Sequence, residues 1–370
     1  MTDSPVELDF LQDGGQSAGS VLARLLTVIQ RATTTLDLAI YDAHLADADG
    51  TTLLDALHAA EARGVRVRAV YNDDSRPHNG PHTSSPPPDE ASLLTRLAHA
   101  VPAKAIDGIP DLMHHKYVVR DGAEVLTGST NWTTDAFTRQ ENVMIIIQSN
   151  DLAAAYTEDF EQLWNGGIVV GTGAFDDLPA PITLGREQGS VRALFSPGRG
   201  PGISQLIATR LGQASTRIRV CSPVVTASPV LATLAELIDD RRCEIVVTVD
   251  GPMMAQAVRQ WTVDGRAKWK VPLWERIVAG GVVAQKASTP YAPGAVHDYM
   301  HAKLVVCDDV LITGSYNCSH SGEMNAENVV EIHGAELADQ GARYAEAVHA
   351  RYAATPPPPT GRHQYRQTTG

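Results

Sequence analysis

His114, Lys116 and Asp121, followed by Gly128, Ser129 and Asn131, recur as His301, Lys303 and Asp308 with Gly314, Ser315 and Asn317. One such set would arise by chance in on the order of one in a hundred thousand chains of this length, so the chain carries the same chemistry twice. An imidazole, an ammonium, a hydroxyl and an amide gathered in a small volume suit a phosphate. The ammonium and the amide address the negative charge of a phosphodiester. A covalent histidine intermediate splits one hard displacement into two easier ones, and a second histidine near neutral pKa can give and then take the proton.

The spacing indicates how these side chains are presented. The run from His114 to Arg120 ends at Asp121-Gly122, and Glu124 to Thr127 leads into Gly128-Ser129, which predicts a β-hairpin turning at Asp-Gly; the second copy turns at Asp308-Asp309. Alternation along a strand puts His114 and Lys116 on one face, His301 and Lys303 likewise, and turns His115 the other way. The returning strands bring Ser129 with Asn131, and Ser315 with Asn317, back beside them. Asp121 lies about 23 Å of strand away, at roughly 3.3 Å per residue, too far to orient His114. The expected orienting carboxylates are Glu141 and Glu327, in Glu-Asn-Val phrases that follow their histidines by 27 and 26 residues. A carboxylate on one imidazole nitrogen fixes the tautomer and frees the other nitrogen to react.

The two segments, HHKYVVRDGAEVLTGSTNWTTDAFTRQENV and HAKLVVCDDVLITGSYNCSHSGEMNAENV, resemble the HKD motifs of the phospholipase D superfamily. The resemblance implies a metal-independent site in which both copies meet, one histidine attacks phosphorus to form a phosphohistidine, and the other protonates the leaving alcohol and then activates water or another alcohol. Carried over by position, it makes His114 and His301 nucleophile and general acid/base, with His114 favoured as nucleophile because single-chain relatives often use the first copy. It gives Lys116, Lys303, Asn131 and Asn317 the non-bridging oxygens, with Ser129 and Ser315 assisting. Asp121, Asp308, Gly128 and Gly314 are motif positions with a structural role. No cofactor and no metal are implied.

At 370 residues the chain exceeds the usual domain size, in keeping with a duplication. Val6 to Phe10 with Gly14-Gly15 resembles Val191 to Phe195 with Gly198 and Gly200, so the repeat extends beyond the motifs. Helical patterns at 20–31, 53–63, 203–211 and 230–240 alternate with apolar strands at 36–41, 65–71, 218–221 and 244–249. The expected fold is α/β: two lobes related by a pseudo-twofold, each a mixed sheet flanked by helices, with the active site in the cleft between them. The expected boundaries are 1–177 for the first lobe, 178–190 for a linker, 191–354 for the second lobe and 355–370 for a Pro-rich tail.

The formal net charge of -13 opposes loose binding to long polyanions and favours a small or locally docked diester, the motif lysines supplying local positive charge. A phospholipid is the preferred substrate, hydrolysed or transferred to an alcohol; nucleic acid is the alternative, and a non-catalytic phosphate-binding scaffold a third reading. Neither a secretory leader nor an apolar run of ~20 residues is evident, which leads us to expect a cytoplasmic monomer capable of peripheral membrane contact. Cys221, Cys243, Cys307 and Cys318 form no close pair or metal spacing and are read as reduced thiols. Two insertions differ between the halves. His78 and His82 sit in a polar segment, 72–90, read as an exposed loop rather than a metal site. Trp261, Trp269 and Trp274 lie among Arg266, Lys268, Lys270 and Arg276, a mixture that stacks bases or seats a lipid headgroup unless its tryptophans pack inward. Trp269 and Trp274, with Trp132 beside Asn131, are the candidate substrate contacts.

Overall fold

The computed structural model describes residues 4–73, 93–175, 178–292 and 294–354. His78, His82 and the Pro-rich tail lie outside the described residues. The chain forms two large sheets of the same plan. In spatial order the first contains Val6–Leu11, Asn142–Gln148, Glu124–Gly128, Lys116–Arg120, Thr35–Ile40, Arg66–Asp73 and Ala103–Asp107. The second contains Ala180–Leu184, Glu187–Ser196, Glu327–His333, Val310–Gly314, Leu304–Cys307, Arg217–Cys221, Glu244–Asp250 and Val283–Lys286. In both, the motif hairpin is antiparallel, and the strand beside it begins a run of parallel pairs. Each sheet is therefore mixed, as expected.

The 178–190 segment is not a simple linker. Ala180–Leu184 pairs antiparallel with Glu187–Ser196 and adds an edge strand to the second sheet. Its alternating burial, with Ala180, Ile182 and Leu184 inside, was masked in the sequence by Pro179 and Pro181. The amino-terminal repeat also needs a shift of one residue: Leu11 pairs with Asn142 and Phe195 with Asn328, so Leu11 rather than Phe10 matches Phe195.

The largest apolar core draws on both halves, joining Val119, Ile145, Tyr156 and Phe160 to Phe195, Leu304, Val306 and Tyr344. It encloses two long helices, Asn150–Gly166 and Ala335–Ala353, each of which follows the last motif strand of its half. Ser149 caps the first helix by accepting from Leu152 N–H, and Gly167 closes it in the left-handed conformation. Two further cores pack the remaining helices on the outer faces of the sheets, one in each half.

Both hairpin turns are tied down by their aspartates. Asp121 and Gly122 have φ of 54 and 60°, the left-handed pair that a tight hairpin requires. The Asp121 carboxylate accepts the backbone N–H groups of Thr33, Thr34 and Thr35, at 3.0, 2.7 and 3.0 Å. Asp308 does the same for Ser215, Thr216 and Arg217, each within 3.0 Å. These bonds hold Asp121 below the usual carboxylate range against the opposing effect of burial. The motif aspartate thus fastens the far end of the hairpin to the start of the neighbouring strand. Asp121→Ala strands several donors and should destabilise the fold by about 1–3 kcal/mol, seen as a lower urea midpoint; an unchanged midpoint would contradict this role.

Candidate active site

Each histidine is anchored by the opposite half. His114 N–H donates to the Ala326 carbonyl at 2.9 Å, and His301 N–H donates to the Glu141 carbonyl at 3.1 Å. The residues just before them are held from the ends of parallel strands: Asn72 Oδ1 accepts from Met113 N–H at 2.9 Å and Asp250 Oδ2 from Met300 N–H at 3.0 Å. Sequence reasoning missed Asn72 and Asp250; their only signal was a polar residue ending an apolar strand.

The motif glycines explain how the returning strands reach the site. Gly128 and Gly314 have φ of 137 and 148°, and a Cβ there would lie 2.1 Å from the Val143 carbonyl oxygen or 2.2 Å from that of Asn328. That close approach lets Ser129 and Ser315 N–H donate to the same two carbonyls at 2.9 and 3.0 Å. Both serines are fully buried. Ser129 Oγ donates to Asn142 Oδ1 at 2.7 Å, whereas Ser315 Oγ accepts from Asn328 N–H at 3.0 Å, so each stiffens the base of the site. Asn131 and Asn317 are half-buried, each with a buried Oδ1 that has no hydrogen-bond partner among the described residues.

Lys116 and Lys303 are buried, and their ammonium groups donate to the carbonyls of His114 and His301. Burial pulls Lys116 down to about 7, with Glu327 and Asp42 opposing. Burial and then the charge of Lys116 hold Lys303 well below its ordinary value. Both histidines are also held well below theirs, by burial first and then by the two lysines. Four basic groups brought this close together favour an anion strongly. Tyr41 adds an aromatic wall that the sequence reading missed: its ring lies 4.4 Å from the His114 ring and 4.6 Å from Lys116 Nζ.

The two expected orienting carboxylates behave differently. Glu327 contacts His114, in the other half, with Oε2 2.8 Å from Nδ1. Burial pushes Glu327 up to about 7, against the pull of Lys116. Glu141 does not reach a histidine ring; it pairs with Lys286 at 2.7 Å, and His301 Nδ1 meets Asn142 Oδ1 at 3.1 Å instead. His115, turned to the opposite face as the alternation required, is fully buried; its Nδ1 accepts from Asn328 Nδ2 at 3.1 Å and its Nε2 lies 3.1 Å from Asp159.

Two of the three tryptophan candidates do not line the site. Trp132 is only 2% exposed in the outer core of the first half, and Trp274, 7% exposed, packs with Trp261 in that of the second. The 261–276 segment folds as parts of two helices, Gly251–Val263 and Lys270–Ala279, whose inward stripe takes these rings. Trp269, at their junction, is 49% exposed. All four cysteines are free thiols.

The model of the family described as "Cardiolipin synthase, PLD-like domain" matches residues 25–164 and again 207–348, more than half of the chain. The chain is 35% identical over 146 residues to the mitochondrial cardiolipin hydrolase of Xenopus tropicalis, covering 39% of this chain and 61% of that protein. It is 31% identical over 105 residues to a phospholipase D of Rickettsia conorii, covering 28% of this chain and 47% of that one. The matches thus span about three fifths or less of these relatives' own lengths. Among solved structures, phosphatidylserine synthase of Haemophilus influenzae shares the fold with a TM-score of 0.61 and 13% identity, over 93% of this chain and 86% of that one. With both halves matched and both motifs converging on one site, the chain belongs to the phospholipase D superfamily.

Proposed function

We propose that this chain is a phosphodiesterase of the phospholipase D type, acting on a phospholipid by hydrolysis or by transfer to an alcohol, through a phosphohistidine. The observation that carries the reading is the exchange between halves that brings His114, His301, Lys116 and Lys303 together, with Glu327 behind His114. A diester resists attack because of its charge and its poor leaving group. The lysines and the amides of Asn131 and Asn317 meet the non-bridging oxygens. One histidine attacks phosphorus as the other protonates the departing oxygen, and the second then takes a proton from water or an acceptor alcohol. Because both motifs lie in one chain, a monomer suffices for this chemistry.

The lipid preference is supported by the relatives named above, a cardiolipin hydrolase and a phospholipase D, and by the net charge of -13. A half-exposed Trp269 beside exposed Arg266 and Lys268 suits peripheral contact with a lipid surface. The same trio is the feature that keeps a nuclease reading in view. Among the described residues no helix is long and apolar enough to cross a membrane.

The deciding experiment offers vesicles of cardiolipin, phosphatidylglycerol or phosphatidylcholine, and separately single-stranded DNA, in the presence of EDTA. Lipid cleavage that His114→Ala abolishes is expected, with turnover unaffected by the chelator because lysines meet the phosphoryl charge. Strand scission without lipid cleavage would replace the lipid reading with a nuclease, and complete loss in EDTA would overturn the mechanism. Anion binding has its own signature. With Lys116 drawn down to about 7, a bound anion raises it again, so binding takes up protons near neutrality and weakens as pH rises further. Calorimetry with sulfate in buffers of differing ionisation enthalpy should detect the uptake; an enthalpy independent of buffer would refute it.

A further inference from the structure

His115, the residue that strand alternation turns away from the site, has no counterpart in the second copy, where Ala302 stands between His301 and Lys303. Nothing in the chemistry proposed above uses it, yet it lies in a buried polar cluster drawn from both halves. Its Nε2 lies 3.1 Å from the Asp159 carboxylate, which also accepts from the Tyr117 hydroxyl at 2.8 Å, and its Nδ1 meets Asn328 Nδ2 at 3.1 Å. A bare ring nitrogen would be repelled by the carboxylate, so the hydrogen sits on Nε2 and Nδ1 accepts. The Asn328 amide is turned the matching way, because Oδ1 accepts from Thr127 Oγ1 at 2.8 Å and from the Tyr156 hydroxyl at 2.9 Å. Three residues of the first half thus grip one side chain of the second.

That side chain directly follows Glu327. Neighbouring residues of a strand face opposite ways, so with Asn328 drawn to the core side Glu327 faces the site. The first joint therefore has two layers: His114 with Glu327 on the site side, and His115 with Asn328 on the core side. The other joint lacks the second layer. Asn142, at the place matching Asn328, turns its amide nitrogen to the Ala136 carbonyl and Gln140 Oε1 of its own half and sets Oδ1 against His301. Ala302 has no side-chain acceptor to draw that amide into the core.

We infer that His115 is a positioning residue: as a neutral imidazole clasped between Asp159 and Asn328, it holds Glu327 at the Nδ1 of His114. The inference rests on the phosphodiesterase reading above and adds to it a residue that touches no substrate. Whichever role His114 takes in the displacement, its ring passes through a charged state, and the carboxylate at Nδ1 stabilises that state. Tyr117 and, from the second half, Phe195 pack against the His115 ring, with centroids at 5.0 and 6.1 Å. Hydrogen bonds are directional, so the clasp admits one arrangement where apolar packing alone would allow the strand end to shift.

Two variants of the full chain separate positioning from packing. His115→Phe keeps the bulk of the ring and removes both polar contacts, whereas His115→Gln keeps an acceptor for Asn328 and a donor for Asp159 without a titratable group. On the vesicle lipid that the wild type cleaves, His115→Phe should lower kcat by on the order of a hundredfold. KM should stay within about twofold, since Lys116, Lys303 and the two asparagines still meet the phosphoryl group, and His115→Gln should recover most of kcat. Proton NMR reads the contact itself. The hydrogen on His114 Nδ1, shared with Glu327, gives a far-downfield resonance, absent from His114→Ala, that His115→Phe should abolish and His115→Gln retain. A folded His115→Phe with wild-type kcat, or one slowed while that resonance persists, would overturn the inference, as would an equal loss in His115→Gln. Should neither variant fold, nitrogen NMR of the histidine-labelled wild type decides: His115, recognised by its contacts with Tyr117 and Phe195, must be neutral with its hydrogen on Nε2, and any other state refutes the clasp. Inertness of the wild type toward every lipid offered would sink the phosphodiesterase reading, while the resonance, which needs no turnover, still reports whether His115 holds Glu327 in place.

Discussion

The site depends on an exchange of hydrogen bonds between halves. The strand end that carries His114 bonds to the backbone of Ala326, and the one that carries His301 bonds to the backbone of Glu141, so each histidine segment is completed by the stretch that follows the other half's returning hairpin strand. Leu112 reinforces the first joint by donating to Asn325 Oδ1 and accepting from Ala326 N–H at 2.8 Å. Gln140 reinforces the second by donating to the His297 carbonyl at 2.8 Å. Neither half alone fixes its own imidazole. The apolar core shared by the two halves follows from the same constraint, because only a rigid joint keeps the rings in register across the cleft.

That joint makes an unfavourable arrangement tolerable. Two lysine amino groups and two imidazoles lie close together and mostly buried, where burying charge is costly unless it is paired. The structure offsets part of the cost with the carbonyls of His114 and His301, which accept from the lysines, and with Glu327. Burial draws these basic groups toward their neutral forms, and an anion that restores their charge is the ligand such a site complements best. On the proposed phosphodiesterase reading, stability given up in the free protein would be recovered as affinity for the charge that develops on the phosphoryl oxygens.

Much of this was legible in the sequence. Six repeated residues named the chemistry, strand alternation separated His114 from His115, and the distance along the hairpin removed Asp121 from the site and left it a structural task. The register of the halves was not legible. A spacing of 27 residues suggested that Glu141 serves His114, whereas the carboxylate at His114 arrives from the other half over a separation of 213 residues. Nothing local encodes that choice, since it is made by the joint between the sheets. The strand Ala180–Leu184 was hidden by prolines that an edge position accepts. The tryptophans near Trp269 misled for another reason: in an amphipathic helix the same rings that could stack on a ligand are the best fillers of a core, and burial of Trp261 and Trp274 shows which use prevailed.

The duplication also explains why two nearly identical motifs need not do identical work. Symmetric carboxylates would leave the two imidazoles chemically alike, and both would compete for the same state of protonation. A displacement through a covalent intermediate needs them unlike, one neutral and attacking while its partner holds the proton. The difference is set at the joint, which is offset by one residue between the halves: His114 N–H bonds to the carbonyl of Ala326, just before Glu327, whereas His301 N–H bonds to the carbonyl of Glu141 itself, so Asn142 rather than Glu141 faces the second ring. The two motif hairpins keep the same antiparallel plan, so an offset of one residue at the joint gives the two imidazoles unlike partners without disturbing the strands that deliver them.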